Sequence, residues 1–208
     1  MESNVFALSI AVAGIAFLSS CGLNKIAFTQ ILTPAGWRQP ERVVEALQLK
    51  PGARVADVGA GDGYFTFRLA DAVGPQGHVY AVEVTDKQVD ALRAEAQKRG
   101  YHNVTVIRGA LDDPLLPDAG IDLAFFSGVY HHLEGREPYF EQLRTDLAGG
   151  GRVAVIEGAP DPLHKLFMPF HFESAETVEK EMTAAGYRRA AVFEFLPMMH
   201  FQVFEPVA

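Results

Sequence analysis

A short apolar run that ends in regularly spaced glycines constrains the fold of this chain more than any other feature. The run Arg54–Val58 predicts a buried strand, and Gly59, Gly61 and Gly63 follow it at every second position. Residues 64–73 then continue with the apolar spacing of a helix. In α/β proteins such a strand, glycine turn and helix bring backbone N–H groups close to an anionic or polar cofactor. The glycines alone also fit a tight turn that binds nothing.

Predicted strands and helices alternate along the rest of the chain from residue 40 onward. The predicted strands cover residues 54–58, 78–84, 103–108, 121–126, 152–157, 188–195 and 200–204. The predicted helices cover residues 40–49, 63–73, 86–99, 134–147 and 173–185. This alternation is typical of a doubly wound, mainly parallel sheet, so we predict an α/β fold.

Composition excludes several classes of function. A formal net charge of −8 over 208 residues argues against a nucleic-acid partner, which would require a basic face. The chain has one cysteine, so it can form neither an intrachain disulfide nor a multi-cysteine metal site. The histidines are scattered without metal-ligand spacing, and we therefore expect no metal. The sequence gives no indication of oligomeric state.

The first segment, residues 1–24, has the composition of a targeting or anchoring sequence. Residues 5–18 are apolar apart from Ser9, which resembles the central region of a signal peptide. Residues 18–22 (LSSCG) resemble a bacterial lipobox, in which small residues precede a cysteine that becomes lipidated, here Cys21. The segment departs from that pattern at Glu2, where a signal peptide usually carries positive charge.

Two other interpretations of this segment stay open. One is an uncleaved membrane anchor. Positively charged residues tend to stay on the cytoplasmic side of a membrane segment, so the folded domain would then lie in the cytoplasm. The cationic residues that follow the apolar run are Lys25, Arg38, Arg42 and Lys50. The segment could instead be a buried N-terminal helix. Each interpretation separates residues 1–24 from the fold, with residues 25–39 as a lead-in and residues 40–208 as the domain. The first two predict a membrane-associated protein.

Ligands of doubly wound folds bind at the carboxyl ends of the strands. That rule selects residues 59–63, 83–85, 109–113 and 127–133. Glu83 lies twenty positions beyond Gly63, at the end of the second predicted strand, where a carboxylate can accept both hydroxyl hydrogens of a ribose. A glutamate that simply points into water is the alternative. The ribose interpretation is favoured because one nucleoside ligand then explains both the glycines and Glu83.

In sequence order, four segments resemble the motifs of class I S-adenosylmethionine-dependent methyltransferases. Residues 55–65 resemble the first motif, and residues 80–83 (YAVE) the second strand of that family. Residues 121–126 (IDLAFF) resemble the fourth strand, and residues 147–153 (LAGGGRV) the entry to the fifth. The resemblance implies a Rossmann-like methyltransferase fold with seven strands, the last antiparallel. It also implies S-adenosyl-L-methionine as the cofactor.

The resemblance assigns roles to the residues that match the family's motifs. It implies that Asp57 helps to hold the amino end of the cofactor's methionine part. Gly59, Gly61 and Gly63 would admit that part and the ribose close to the backbone. Glu83 would bind the ribose hydroxyls.

The sequence departs from the family at the adenine contact, where the family commonly has an acidic residue directly after the glycine that follows strand three. Ala110 stands at that position here, and Asp112 is the substitute that we predict. Adenine could instead meet only backbone and apolar side chains.

The acceptor side is predicted to follow the fourth strand, at Tyr130, His131 and His132. A histidine there could deprotonate an oxygen, nitrogen or sulfur acceptor, with His131 slightly favoured over its neighbour. Either ring could instead bond a backbone group. The irregular segment after the fifth strand is rich in phenylalanine and methionine, which favours a small, apolar acceptor; its residues are His164, Phe167, Met168, Phe170 and His171. Trp37 and Arg38 could cover the cofactor or merely pack.

The predicted activity is therefore in-line transfer of a methyl group from S-adenosylmethionine to a small acceptor. A non-catalytic lipoprotein that binds or senses a ligand on the same fold is the first alternative, since a lipobox implies export whereas the cofactor is made in the cytoplasm. A nicotinamide-dependent oxidoreductase is the second. It is disfavoured because its fingerprint has the spacing G-x-G-x-x-G, and the glycines of this chain are spaced differently.

Overall fold

The computed structural model describes residues 38–117, 119–159 and 172–207. By its contacts the chain divides into Met1–Gln39 and Pro40–Ala208, and the second unit contains the following strands and helices. The strands are β1 (Arg54–Val58), β2 (His78–Glu83), β3 (Val104–Arg108), β4 (Ile121–Ser127), β5 (Leu147–Gly158), β6 (Tyr187–Phe193) and β7 (Met199–Pro206). The helices are α1 (Pro40–Leu47), α2 (Thr66–Val73), α3 (Asp86–Arg99), α4 (Arg136–Asp146) and α5 (Ala175–Ala184), with a short 3-10 turn at Tyr130–His132.

The strands form one seven-stranded sheet in the order β3-β2-β1-β4-β5-β7-β6. The neighbours from β3 to β5 are parallel, whereas β7 runs antiparallel to both β5 and β6. The predicted α/β fold with an antiparallel last strand is therefore confirmed. In this order the carboxyl ends of β1, β2 and β4 lie side by side at one edge of the sheet.

The central strands are buried on both faces, which explains their continuous apolar sequences. In β4, Phe125 belongs to the core cluster packed under α1 and α2, and the next residue, Phe126, belongs to the cluster packed under α4 and α5. Both side chains are fully buried. The sheet is thus a rigid platform between two helical layers, and its edges remain available for a site.

Local capping fixes the helix that begins beside the predicted ribose site. The Thr85 hydroxyl accepts a hydrogen bond from the Gln88 N–H at the start of α3, and Gly100 ends the helix with φ +74°. The predicted bounds of α3 and of β1 agree with the structure. Helix α2 begins at Thr66 rather than residue 63, because the preceding residues complete the glycine turn.

Strand β5 is longer than predicted, since it begins at Leu147 instead of residue 152. Leu147 pairs with Ile121, and the register then shifts before the ladder resumes at Leu123 and Arg152. A Cβ on Gly151 would lie 2.6 Å from the Ile121 carbonyl oxygen, so this close approach requires glycine. The glycines before Arg152 therefore give no apolar strand signal, although the strand continues through them.

Within residues 38–117, 119–159 and 172–207, no helix is long and apolar enough to span a membrane. The predicted signal or anchor segment at residues 1–24, Cys21 and Trp37 lie outside the described residues. So do His164, Phe167, Met168, Phe170 and His171.

Candidate cofactor site

The glycine turn after β1 is shaped by three residues with left-handed backbone. Gly59 (φ +72°) lies under Val129, and a Cβ there would come within 2.5 Å of the valine Cγ2 atom. Gly63 (φ +82°) lies against Phe67, where a Cβ would come within 2.4 Å of the ring. Gly61 (φ +58°) faces open space, with nothing within 4 Å of a Cβ position. Two glycines thus permit close packing, and the third leaves room beside the turn.

The N–H groups of the turn are largely engaged within the chain. Gly59 and Ala60 both donate to the Val82 carbonyl, at 3.0 and 3.1 Å. Gly61 donates to Glu83 Oε1 at 2.6 Å. A phosphate-binding loop requires such N–H groups to point at the ligand. This turn therefore suits a ligand that needs space beside the backbone. A dinucleotide pyrophosphate is disfavoured, because it would need a row of N–H donors that point at it.

Glu83 at the end of β2 is a buried carboxylate that stays able to accept further hydrogen bonds. Its side chain is held by the Gly61 N–H on one oxygen and by the Val84 N–H, at 3.2 Å, on the other. Only 5% of the residue is exposed, so the alternative of a glutamate pointing into water is wrong. Each carboxylate oxygen has a second acceptor position, which suits two ribose hydroxyl donors.

Asp57 lies beneath the turn rather than on its open side. It is 3% exposed, and its Oδ2 accepts a hydrogen bond from the Thr66 hydroxyl at 2.6 Å. Burial raises the pKa of Asp57 to about 7; the Thr66 hydrogen bond opposes this rise and the nearby Glu83 charge adds to it. The side chain joins the end of β1 to the start of α2, so it supports the turn from behind.

A cavity of about 320 Å³ opens at the carboxyl edge between β1, β2 and β4. Its lining consists of Val58, Gly59, Gly61, Val82, Glu83, Val84, Gln88, Ala110, Leu111, Gly128, Val129, His132, Leu133 and Tyr139. Polar side chains are few, and Glu83, Gln88 and His132 supply most of the hydrogen-bonding capacity. Such a mainly apolar pocket with a few placed polar groups is typical of a small-molecule site.

Asp112 does not reach this cavity wall. Ala110 and Leu111 line the cavity, whereas Asp112 is exposed beyond them. Asp113 organises the loop instead, because its carbonyl accepts from the Ala110 N–H at 2.7 Å and its Oδ1 from the Leu115 N–H at 2.7 Å. The residue presented at the cavity is thus Leu111, which is 67% exposed.

Tyr130 lies in the core, away from the cavity. Its side chain is fully buried, its ring stacks on Phe140 at 5.5 Å between centroids, and its hydroxyl donates to Glu181 at 2.8 Å. Burial, with a further contribution from Glu181, raises the pKa of the Tyr130 hydroxyl. The residue therefore fixes the 3-10 turn from below and does not touch an acceptor from this position.

The two histidines of that turn point to different surroundings. The His131 side chain is 8% exposed, and its Nδ1 lies 2.9 Å from Oε2 of Glu157 at the end of β5. His132 is exposed and lines the cavity. The ring centroids of the two histidines are 4.0 Å apart. The structure thus brings His132, and not His131, to the cavity wall.

Sequence reasoning missed several residues of the site. Glu157 ends a predicted strand and carries no motif, although the same strand-end rule that selects Glu83 applies to it. Gln88 and Tyr139 line the cavity from outside the regions that the strand-end rule selects, whereas Val129 and Leu133 lie within the selected residues 127–133. They enter it because the elements on which they lie meet at one edge of the sheet.

A wider depression of about 730 Å³ lies at the opposite edge, by the amino ends of the first three strands. Two pairs of its polar side chains bond each other: Arg54 donates to the Tyr80 hydroxyl at 2.6 Å, and the Tyr101 hydroxyl donates to Asp71 at 3.0 Å. The carboxyl-edge cavity is the better candidate site because it alone of these two contains the glycine turn and Glu83. No three His, Cys, Asp or Glu side chains are placed to hold a metal ion in the described part of the chain.

Comparison with known proteins agrees with this geometry. Residues 49–198 match the model of a family described as a methyltransferase domain. A protein-L-isoaspartate O-methyltransferase from Ignicoccus hospitalis is 33% identical over 118 residues, which are 57% of this chain and 54% of the relative. A ubiquinone/menaquinone biosynthesis C-methyltransferase from Vibrio campbellii is 27% identical over 127 residues, which are 59% of this chain and 49% of the relative. The chain thus spans about half the length of these curated relatives.

Among solved structures, a SAM-dependent methyltransferase from Aquifex aeolicus superimposes with a TM-score of 0.75 and 26% sequence identity. The match covers 88% of this chain and 97% of the other. The chain belongs to the methyltransferase-domain family, and it is an enzyme with S-adenosyl-L-methionine as cofactor. The site fits that cofactor, because Gly61 and Gly128 have left-handed backbone beside the cavity, with open space where a Cβ would stand, and Glu83 offers acceptors.

Proposed function

We propose that this chain transfers a methyl group from S-adenosylmethionine to a small, apolar acceptor by in-line displacement. One observation carries the proposal: the lining of a single cavity combines the Gly61–Glu83 pair with an apolar wall. That wall contains Leu111, Val129 and Leu133. A polar acceptor would leave its hydrogen-bonding groups unpaired against these side chains, at a cost in binding free energy.

The residues of the cavity have distinct roles in this proposal. When bound, the cofactor supplies an electrophilic methyl group on a sulfonium centre. Glu83 would accept hydrogen bonds from the ribose hydroxyls, and Gly61 would leave space for the ligand beside the turn. The apolar wall would exclude water and hold the acceptor close to the methyl group, and such positioning can account for much of the barrier.

A base is needed only for acceptors that carry a proton on the reacting atom. Of the two predicted histidines, His132 lies on the cavity wall and is better placed to take that proton. Asp57 supports the turn, and its pKa is raised. Once the Asp57 carboxyl is ionised, its negative charge would stabilise a cationic amino group of the cofactor nearby. This contribution extends the role that the family resemblance gives to Asp57.

We also propose that residues 1–24 attach the domain to a membrane, through lipidated Cys21 or as an uncleaved anchor. The support is the uncharged apolar run that ends in LSSCG. A membrane location agrees with an apolar acceptor, because such a molecule concentrates in the lipid phase.

Product analysis tests the acceptor class. The full chain is incubated with S-adenosylmethionine labelled in its methyl group and with membranes, and lipid-phase and aqueous products are separated. We expect label in a small product of the organic extract. Label only in protein or in water-soluble products would overturn the apolar assignment. A Glu83→Ala variant serves as the blank, since it should lose transfer together with cofactor binding.

A further inference from the structure

Glu157 is a buried carboxylate that the proposed function leaves without a role. It lies at the carboxyl end of β5 and is 1% exposed. Its Oε1 accepts from the Gly158 N–H at 2.8 Å. Its Oε2 accepts from the backbone N–H of His131 at 3.3 Å and lies 2.9 Å from the Nδ1 of the same residue. One buried side chain thus holds both the backbone and the ring of His131.

Burial of a carboxylate is costly unless hydrogen bonds and an opposite charge compensate. A carboxylate oxygen accepts hydrogen bonds, so Nδ1 of His131 is the donor in its contact with Glu157. Among the described residues, His200 also lies near this carboxylate, since it stands opposite Glu157 in the β5–β7 ladder. Both ring nitrogens of His200 are engaged, Nε2 with the Glu173 carbonyl and Nδ1 with Gln202.

Those contacts, with burial, determine the charge state of His200. Burial lowers the pKa of His200, against the opposing effects of the Glu173 carbonyl and of the Glu157 and Glu173 charges. His200 is therefore neutral near neutral pH, and His131 is the side-chain partner of Glu157.

The turn that Glu157 holds forms part of the cavity wall proposed to face the acceptor, the acceptor wall. The His132 N–H donates to the Val129 carbonyl at 2.9 Å, and the Leu133 N–H donates to the Tyr130 carbonyl at 3.1 Å. Val129, His132 and Leu133 all line the cavity. Since the His131 and His132 rings are in contact, a shift of His131 would move the His132 ring as well.

We propose that Glu157 is a positioning residue, which acts through His131 to set the place of His132 on the acceptor wall. The inference rests on the proposed function and deepens it, because it names the acceptor class as one with an O–H, N–H or S–H group. The acceptor atom forms its bond to the methyl carbon and gives its proton to the His132 imidazole, while the electron pair of the broken carbon–sulfur bond stays on sulfur. The Glu157 carboxylate holds His131, and His131 in turn keeps the His132 imidazole oriented to take that proton.

The first test is spectroscopic and needs no acceptor. In the full chain with ¹⁵N-labelled histidine, the wild-type His131 ring should be the Nδ1–H tautomer at neutral pH. Glu157→Gln should shift that ring toward the Nε2–H tautomer and move the methyl signals of Val129 and Leu133. Glu173→Gln is the matched control, because its side chain contacts Arg136 and not the histidine turn, and it should leave these signals in place.

The second test separates positioning from mere stability. Glu157→Gln should bind S-adenosylmethionine within about 2-fold of wild type by calorimetry, whereas kcat for labelled methyl transfer into the membrane extract should fall ~10–100-fold. Glu157→Asp keeps the charge on a shorter side chain and should recover part of that loss. It also replaces Glu157→Gln in the spectroscopic test if the latter does not fold.

Unchanged His131 tautomer and wall signals in Glu157→Gln would overturn the positioning role, and so would an unchanged kcat. If the wild-type chain transfers no label to the extract, the proposed acceptor class fails instead. The tautomer measurement then still decides the role of Glu157.

Discussion

The Glu83 carboxylate accepts a hydrogen bond from the Gly61 N–H at 2.6 Å and so ties the end of β2 to the turn after β1. The two residues are far apart in sequence, and only the parallel pairing of β1 with β2 brings them together. The acceptor group proposed for the ribose is therefore also a structural part of the glycine turn.

Replacement of Glu83 should abolish most cofactor binding. We expect Glu83→Ala to lower the affinity for S-adenosylmethionine at least ~10-fold, since each hydrogen bond to a charged group contributes about 1.5–3 kcal/mol. Calorimetry measures this directly. Glu95→Ala is the control, because Glu95 lies on α3 and, within the part of the chain that the structure describes, its carboxylate bonds only Lys98 and Arg99. Equal affinity in both variants would contradict the ribose assignment.

Two glycines of the turn should respond differently to alanine. At Gly63 the new Cβ would clash with Phe67 in a left-handed backbone, so we expect a loss of roughly 2–5 kcal/mol in the free energy of unfolding. At Gly61 only the backbone strain of about 1–2 kcal/mol applies, but the methyl group would enter the cavity. Gly61→Ala should therefore weaken cofactor binding more than stability. Urea unfolding measures the stability of both variants, and calorimetry measures their affinity for the cofactor. A larger stability loss in Gly61→Ala, or a larger binding loss in Gly63→Ala, would contradict this prediction.

The buried Asp57 should give the stability of the protein a pH dependence below neutrality. Its pKa is raised from 3.8 to about 7 on folding, so between these values the native state binds more protons than the unfolded state. The free energy of unfolding then falls as pH rises from about 4 to about 7, by at most ~1.4 kcal/mol per pH unit from this group, and levels above 7. Asp57→Asn should remove this component. Urea titrations at several pH values measure the free energy of unfolding of the wild type and of Asp57→Asn. If that free energy changed equally with pH in the two proteins, Asp57 would not be the source of the pH dependence.

Tyr130 should behave as a core residue. Tyr130→Phe keeps the ring on Phe140 and removes one hydrogen bond to Glu181, which Arg136 still contacts at 2.7 Å. We expect a loss of about 1 kcal/mol in the free energy of unfolding and cofactor affinity within about 2-fold. A large fall in kcat at unchanged stability would instead restore the predicted catalytic role.

Lipidation at Cys21 can be read from the mass of the mature protein. If the lipobox is used, mass spectrometry of the membrane fraction should find a diacylated Cys21 at a new N-terminus. Cys21→Ser should abolish that species. A membrane-bound chain that retains Met1 would favour the uncleaved anchor.

The order of elements was predictable from the sequence because apolar periodicity reports burial directly. The bounds of β1 and α3 agree with the structure for this reason. The start of β5 was missed because Gly149–Gly151 give no apolar signal, although Leu147 pairs with Ile121. Pairing of that kind depends on the neighbouring strand, which periodicity within one segment does not record.

The candidate site was predictable where a sequence motif sets the backbone geometry. It was less predictable where the order of strands in the sheet brings side chains from distant parts of the sequence together. Glu83 followed from its place at a strand end. The contact between Glu157 and His131 spans 26 residues and exists only because β4 and β5 are neighbours. The placement of Asp112 could not be foreseen, because the hydrogen bonds of Asp113 decide which residue of that loop reaches the cavity.

The internal hydrogen bonds of Gly59, Ala60 and Gly61 have a consequence for how a ligand associates. Because these N–H groups are satisfied by Val82 and Glu83, the conformational entropy of ordering the turn is lost when the chain folds and not when the ligand binds. Their amide protons should therefore exchange slowly with solvent in the ligand-free enzyme, with little further protection on saturation. Ordering of this turn will then contribute little to affinity differences among cofactor analogues, so the turn acts as a preformed surface that selects its ligand by shape.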